Sequence, residues 1–281
     1  MTNRTILAIH PALRDDIGDL TTRRPVPGPR LDHLNPFLFL NHHGPQTYPP
    51  NNRGLPFGPH PHRGFETVTF ILDGVLAHAD TGGHQSIIEA GGIQWMTAGS
   101  GLVHAELSPE SFLRQGGGME ILQLWVNLPA RLKMTAPRYT GLQRADIPAL
   151  AIDGGTLNLI AGDFAGESGP VTSLTGMFMS TLSLNANAAV TLDAPAGRQV
   201  FLYVVQGEIE IAGTRIPRFN LVQLSDGDAI SLTAAQDSML IFGHADPIDE
   251  PVVFGGPFVM NTEQEIRQAY ADYRSGLFGR M

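Results

Sequence analysis

Hydrophobic and polar residues alternate in short runs along most of the chain, the period-two signature of half-buried strands. The pattern is plain in Thr181-Leu182-Ser183-Leu184 and in Glu208-Ile209-Glu210-Ile211. Strand-like segments over 66–72, 75–78, 85–89, 93–97, 102–107 and 122–128 follow one another closely, punctuated by glycine pairs at Gly82-Gly83 and Gly91-Gly92. Many short strands with glycine-rich turns predict a sandwich or small barrel. A second β-rich block runs from about 156 to 245. Phe70-Ile71-Leu72-Asp73-Gly74 in the first block has an echo in Tyr203-Val204-Val205-Gln206-Gly207, which points to a duplicated β-domain.

Only the tail reads differently. Ile266, Ala269, Tyr270 and Tyr273 recur at helical spacing, Thr262 and Glu265 form a capping box, and Gly276 suits a helix stop. The expectation is an all-β protein with one short helix at about 262–275. Residues 129–155 carry three prolines and little periodicity, so the domains are expected at 1–135 and 156–281 with a linker at 136–155. The apolar run ending at Asn41-His42-His43-Gly44-Pro45 reads as a turn that leaves His42 and His43 in solvent.

Composition narrows the function classes. A formal net charge of −9, without any run of Lys or Arg, disfavours direct contact with nucleic acid or an anionic membrane. Zero cysteines exclude disulfides, thiolate zinc sites and a cysteine nucleophile. The start lacks the pattern of a secretory signal, and no stretch approaches 18 apolar residues, so a cytoplasmic protein is expected. Gly116-Gly117-Gly118 lacks the lysine and strand–helix context of a phosphate loop.

The chemistry concentrates in two triplets, His60-Pro61-His62 and His104-Ala105-Glu106. In a strand, residues i and i+2 leave the same face, so each triplet aims two donors one way. Two such strands side by side converge four donors on one point. Imidazole with carboxylate suits iron, manganese, nickel, copper, cobalt or zinc rather than calcium or magnesium. Val68, Phe70 and Met96 share parity with these donors and are candidate pocket walls. Arg63 is a candidate for orienting an anionic oxygen, against the alternative of a surface salt bridge. His78 and Asp80 read as polar strand positions, and His10, His33, His84 and His244 receive no role. No histidine occurs between Ala105 and Gly243, so the second block is expected to be metal-free.

Gly54, His60-x-His62, Glu66 and Gly74 resemble the first cupin motif, and Gly101-x-x-His104 resembles the second, with Gly99 where many cupins carry proline. The longer segments His60 to Phe70 and Gln94 to Glu106 resemble the signature segments of the pirin family. The likeness continues in Asp32 to Phe37 and in Gly255-Gly256-Pro257-Phe258-Val259-Met260-Asn261-Thr262. The resemblance implies two cupin β-barrels (double-stranded β-helices) in tandem. It also implies one metal, Fe(II) by expectation, on His60, His62, His104 and Glu106. Generic cupins take their carboxylate from the first motif, here Glu66, which stays a candidate neighbour of the ligands unless Gly64 breaks the strand register. Some pirins resemble quercetinases, implying a flavonol-like substrate, dioxygen, and Glu106 as the catalytic proton acceptor. Others act as redox-sensing partners of transcription factors or metabolic enzymes, which would make a protein the partner. The residues flanking the triplets resemble pirins rather than cupin isomerases or seed-storage proteins.

Overall fold

A computed structural model describes residues Met1–Met281. The chain forms two compact units that interleave in sequence. The first unit comprises Arg14–Arg23, Phe37–Ala145 and Ile248–Met281; the second comprises Met1–Leu13, Arg24–Pro36 and Asp146–Pro247.

Each unit is built on one large and one small antiparallel sheet, and the strand order repeats. In the first unit, the large sheet runs Arg138–Leu142, Ile93–Thr97, Phe65–Asp73, Gly117–Asn127, Phe37–Tyr48. In the second it runs Ile6–Pro11, Asn220–Leu224, Gln199–Gln206, Ser238–Ala245, Phe178–Leu184. The small sheets also correspond. Phe57–His62, Leu102–Leu107, Val75–Asp80 and Gln85–Glu89 match Ala189–Asp193, Ala229–Ala234, Glu208–Ile211 and Thr214–Pro217 in order. The duplication sensed in one short echo is therefore a property of the whole topology.

Local patterns explain the elements. Val75–Asp80 alternates between half-buried and buried positions, as a strand with one interior face should. Phe65–Asp73 is buried at its first seven positions, and its β-branched and aromatic residues suit a central strand covered on both faces. The second unit closes over a continuous apolar core that includes Leu157, Leu182, Leu202, Ile230, Leu232 and Phe242.

Three expectations need correction. The boundaries 1–135, 136–155 and 156–281 do not follow the compact units. The supposed linker contains Arg138–Leu142, which pairs with Ile93–Thr97, and Ala149–Ile152, which pairs with Gly155–Ala161. Proline spacing hid both strands, because each is an edge strand, where proline nearby is tolerated. Second, His42 and His43 are buried within the long strand Phe37–Tyr48. The register against Gly117–Asn127 shifts between Met119 and Ile121, so the chain passes Gly44-Pro45 as a bulge and does not turn back. Third, the C-terminal helix Glu263–Ser275 has the capping box and glycine stop read from sequence, but it packs in the first unit. Arg63 Nη1 donates to Asp272 at 2.8 Å, Arg63 Nε donates to the Ser100 carbonyl at 2.8 Å, and its guanidinium lies 4.6 Å from the Phe278 ring centre. Arg63 is thus a buried clasp for the tail, and the anionic oxygen it meets belongs to Asp272 of the same chain.

Candidate metal centre

The strands Phe57–His62 and Leu102–Leu107 are antiparallel neighbours, with His104 opposite His60 and Leu102 opposite His62. Strand alternation sends His60, His62 and His104 to one side, and their candidate donor atoms lie within 4.8 Å of one another. Ring centres are 4.3 Å apart for His60 and His104, and 4.9 Å for His62 and His104.

The hydrogen bonds around these rings leave nitrogens free for a ligand role. His60 Nδ1–H donates to the Gly58 carbonyl at 2.7 Å, and His62 Nδ1–H donates to the Pro257 carbonyl at 3.1 Å. These bonds fix the tautomer and direct each Nε2 lone pair inward, the usual way a histidine ligand is oriented. His62 Nε2 and both ring nitrogens of His104 are buried without any hydrogen-bond partner. Such orphans cost about 1–3 kcal/mol each unless something binds them. Burial holds the His62 imidazole down to about 3, with His60 adding to the effect. Burial also holds His104 well below its ordinary value, with His62 and His60 reinforcing it. Both rings are neutral at pH 7, the state a metal requires. The donor set fits one first-row transition ion. His60 is half-buried, whereas His62 and His104 are buried, so the cluster opens to solvent on the His60 side.

Glu106 is buried on the same strand, opposite His78 rather than inside the histidine triad. A register shift between His104 and Glu106 separates them along the ladder. Thr69 Oγ1 donates to Glu106 Oε1 at 3.1 Å, and Gln123 Nε2 donates to Oε2 at 2.6 Å. These two bonds fix the carboxylate beside a cavity of about 10 Å³ lined by His43, Phe57, Thr69 and Gln123. That is room for roughly one water.

Glu66 stands elsewhere. Gly64, at φ +88°, interrupts the chain between Phe57–His62 and Phe65–Asp73, and the alternation restarts out of phase. Thr69 reaches Glu106, so residues 65, 67 and 69 face the cluster and Glu66 and Val68 face away, as does Phe70. Glu66 Oε1 instead accepts from Thr97 Oγ1 at 2.6 Å, and burial raises its pKa, partly offset by that bond. Val68 and Phe70 therefore are not pocket walls. Met96 pairs with Thr67 and does share the interior face. Its wall neighbours are Phe65, 5.0 Å from the His62 ring, and Trp125, at 5.2 Å.

Two features escaped the sequence reading. His78 is buried, its ring centre 5.5 Å from His104. Its Nε2 bonds Asp80 Oδ2 at 3.0 Å, and its ring stacks on Tyr139 at 4.1 Å. The alternation of Val75–Asp80 was the available signal, since it puts Leu76, His78 and Asp80 inward. The second feature is Pro257, whose carbonyl orients His62 from 195 residues away. Lys133 secures that segment: its ammonium donates to the carbonyls of Gly64 and Val259 and to Asn127 Oδ1, at 2.9, 3.1 and 2.7 Å.

Comparison with known proteins places the chain. The pirin family profile matches residues 19–126, and the profile of the pirin C-terminal cupin domain matches residues 179–279. A Pseudomonas aeruginosa protein provisionally named a quercetin 2,3-dioxygenase is 40% identical over 250 residues, covering 88% of this chain and 87% of its own. The crystal structure of quercetin 2,3-dioxygenase from Acinetobacter baumannii superposes with a TM-score of 0.93 over 99% of both chains, at 34% identity. The bacterial pirin YhhW from Escherichia coli, solved with nickel(II), shares the fold at a TM-score of 0.70 and 23% identity, covering 86% of this chain and 99% of its own. Both units are cupin barrels, and the chain belongs to the pirin family.

Proposed function

We propose that this protein is a metal-dependent dioxygenase that opens the heterocycle of a flavonol such as quercetin. The observation that carries this reading is a cluster of three histidines in which His62 and His104 are buried and neutral and keep ring nitrogens without any hydrogen-bond partner. The likeness to the Acinetobacter quercetin 2,3-dioxygenase over nearly the whole chain supplies the substrate class.

His60, His62 and His104 would hold the ion, with Glu106 as the fourth ligand. Fe(II) is the expected metal, with Mn, Ni, Cu, Co or Zn as alternatives. When bound, the ion supplies Lewis acidity that lowers the pKa of a coordinating hydroxyl. Glu106 accepts the proton of the flavonol 3-hydroxyl, and Thr69 and Gln123 keep its two oxygens aimed while it does so. Phe65, Met96 and Trp125 give the substrate an apolar wall and exclude water from the reacting carbons. Substrate enters from the His60 side and must displace side chains around the small gap beside Glu106. The anionic substrate then meets dioxygen, which adds across the heterocyclic double bond and opens the ring.

The test is anaerobic loading with each metal, followed by quercetin depletion and oxygen uptake in parallel. Stoichiometric consumption of both with at least one metal is expected. No turnover with Fe, Mn, Ni, Cu or Co overturns the proposal.

A further inference from the structure

The matching strand orders allow the two barrels to be aligned residue by residue through their ladders. Phe70 lies opposite Leu122 in the first unit, and Tyr203 lies opposite Ile241 in the second. Stepping along, Trp125 corresponds to His244 and Gln123 to Phe242. Phe39 faces Trp125 and Phe178 faces His244, so these correspond too. The geometry agrees: Phe39 stacks on Trp125 at 4.7 Å, and Phe178 stacks on His244 at 4.9 Å with ring planes only 6° apart. In the small sheets, His78 faces Glu106; in the second unit Ile209 faces Ala234 and Glu210 faces Thr233, and the same register carried one step brings Ile211 to Leu232. Ile230 then stands where the first unit has His104.

The second barrel therefore has apolar residues where the first carries donors, yet it keeps an opening at the same end. That opening is a cavity of about 540 Å³ lined by Leu157, Phe178, Leu192, Arg198, Phe242 and His244. Its size lies within the range of about 300–1,000 Å³ typical of small-molecule sites. Its walls are mostly apolar, and the Phe178 and His244 rings, stacked with parallel planes, set an aromatic face on its lining.

The polar groups are few and unspent. His244 is only 8% exposed, and its Nδ1 has no hydrogen-bond partner. Arg198 Nη2 is committed to the carbonyls of Gly176 and His244, but its Nε has no hydrogen-bond partner. The ion-pair partner of Arg198, Asp246, is 3.7 Å away and well exposed, so it balances the cation weakly. Arg4 anchors to the carbonyls of Ala194, Pro195 and Arg198 and brings a second cation to this end. Burial, then Arg198 and Arg4, hold the His244 imidazole down to about 3, so the ring is neutral at pH 7. Asp163 and Asp193 stand on the lining with exposed carboxylates, so an acid would seat with its charge directed away from them.

We infer that the second barrel is a binding site for a small aromatic acid, its ring against Phe178 and Phe242 and its carboxylate toward Arg198 and His244. The site needs no metal and is independent of the reaction proposed for the first barrel.

The test uses the full chain and two probes of similar shape, 1-naphthoate and 1-naphthalenemethanol, followed by NMR. Saturable shifts of Phe178, Phe242 and His244 are expected with 1-naphthoate at a Kd of about 0.1 mM or below. The neutral alcohol should bind at least about tenfold weaker, which is 1.4 kcal/mol. Arg198→Gln should erase that difference. Should Arg198→Gln not fold, Leu192→Trp fills the cavity and should abolish the shifts. The double variant His62→Ala/His104→Ala, devoid of the first site, should bind the acid as wild type does. Absence of saturable shifts at these residues overturns the inference, as does equal affinity for acid and alcohol, loss in the double variant, or retention in Leu192→Trp.

Discussion

In the first unit the strand Leu102–Leu107 turns His104 and Glu106 inward; in the second, the corresponding strand Ala229–Ala234 turns Ile230 and Leu232 inward. One backbone plan thus carries two solutions to filling a barrel. The second unit spends its interior on a continuous apolar core. The first buries Thr67, Thr69, His78, Asp80, Gln94 and the imidazole cluster, groups that stabilise only when each finds a partner. The two regimes therefore differ at many inward positions at once, not only at the two on this strand.

The contrast can be broken most severely at the donors. His104→Ala should lower metal affinity by more than the roughly 10–100-fold typical of losing an outer partner, and should abolish turnover. Elemental analysis after gel filtration measures the first effect, while Ile230→Ala should leave metal content unchanged. A smaller effect is expected in the opposite sense at the neighbouring pair. Leu232→Ala should cost about 2–5 kcal/mol in urea unfolding, as a cavity left in an apolar core does. Glu106→Gln, isosteric and still able to bond Thr69, should cost far less stability but lose activity.

The tail sharpens the comparison further. Lys133→Met leaves the Gly64 and Val259 carbonyls and Asn127 without their donor, at about 1–3 kcal/mol for each buried orphan. Burial lowers the Lys133 ammonium from 10.5 to about 8, partly countered by Glu250 and Glu265. Between pH 8 and 10.5 the unfolded chain binds the proton more strongly than the folded one. Lys133 therefore opposes folding below pH 8, and its penalty is relieved as pH rises toward 10.5. Wild type should gain stability over that window relative to Lys133→Met, in parallel urea titrations. The mildest change is Asp272→Asn, which weakens the clasp with Arg63 and should cost about 1 kcal/mol, read as a lower Tm.

Much of this was legible in the residues. The segments 85–89, 93–97, 102–107 and 208–211 coincide with strands; alternation reports 208–211 directly, whereas 93–97 and 102–107 are buried almost throughout and are marked by their length and flanking glycines. The capping box of Thr262 and Glu265 did the same for the helix. What resisted reading was long-range. His42 bonds Glu120, 78 residues on, and His43 bonds Thr22, and neither partner is implied by local sequence. Parity carries His60, His62 and His104 to one face but not across the Arg63-Gly64 break, so Val68 and Phe70 lie on the opposite side from the one expected, and Glu66 follows the alternative in which Gly64 breaks the register. The motif from Gly255 to Thr262 was visible as a likeness, yet its physical purpose, a carbonyl for His62, appears only once the chain is folded.

That carbonyl has a consequence for biosynthesis. The imidazoles at 60, 62 and 104 leave the ribosome well before the acceptor that aims His62, which follows it by 195 residues. A nascent or prematurely terminated chain can collapse its first barrel without gaining a properly aimed ligand.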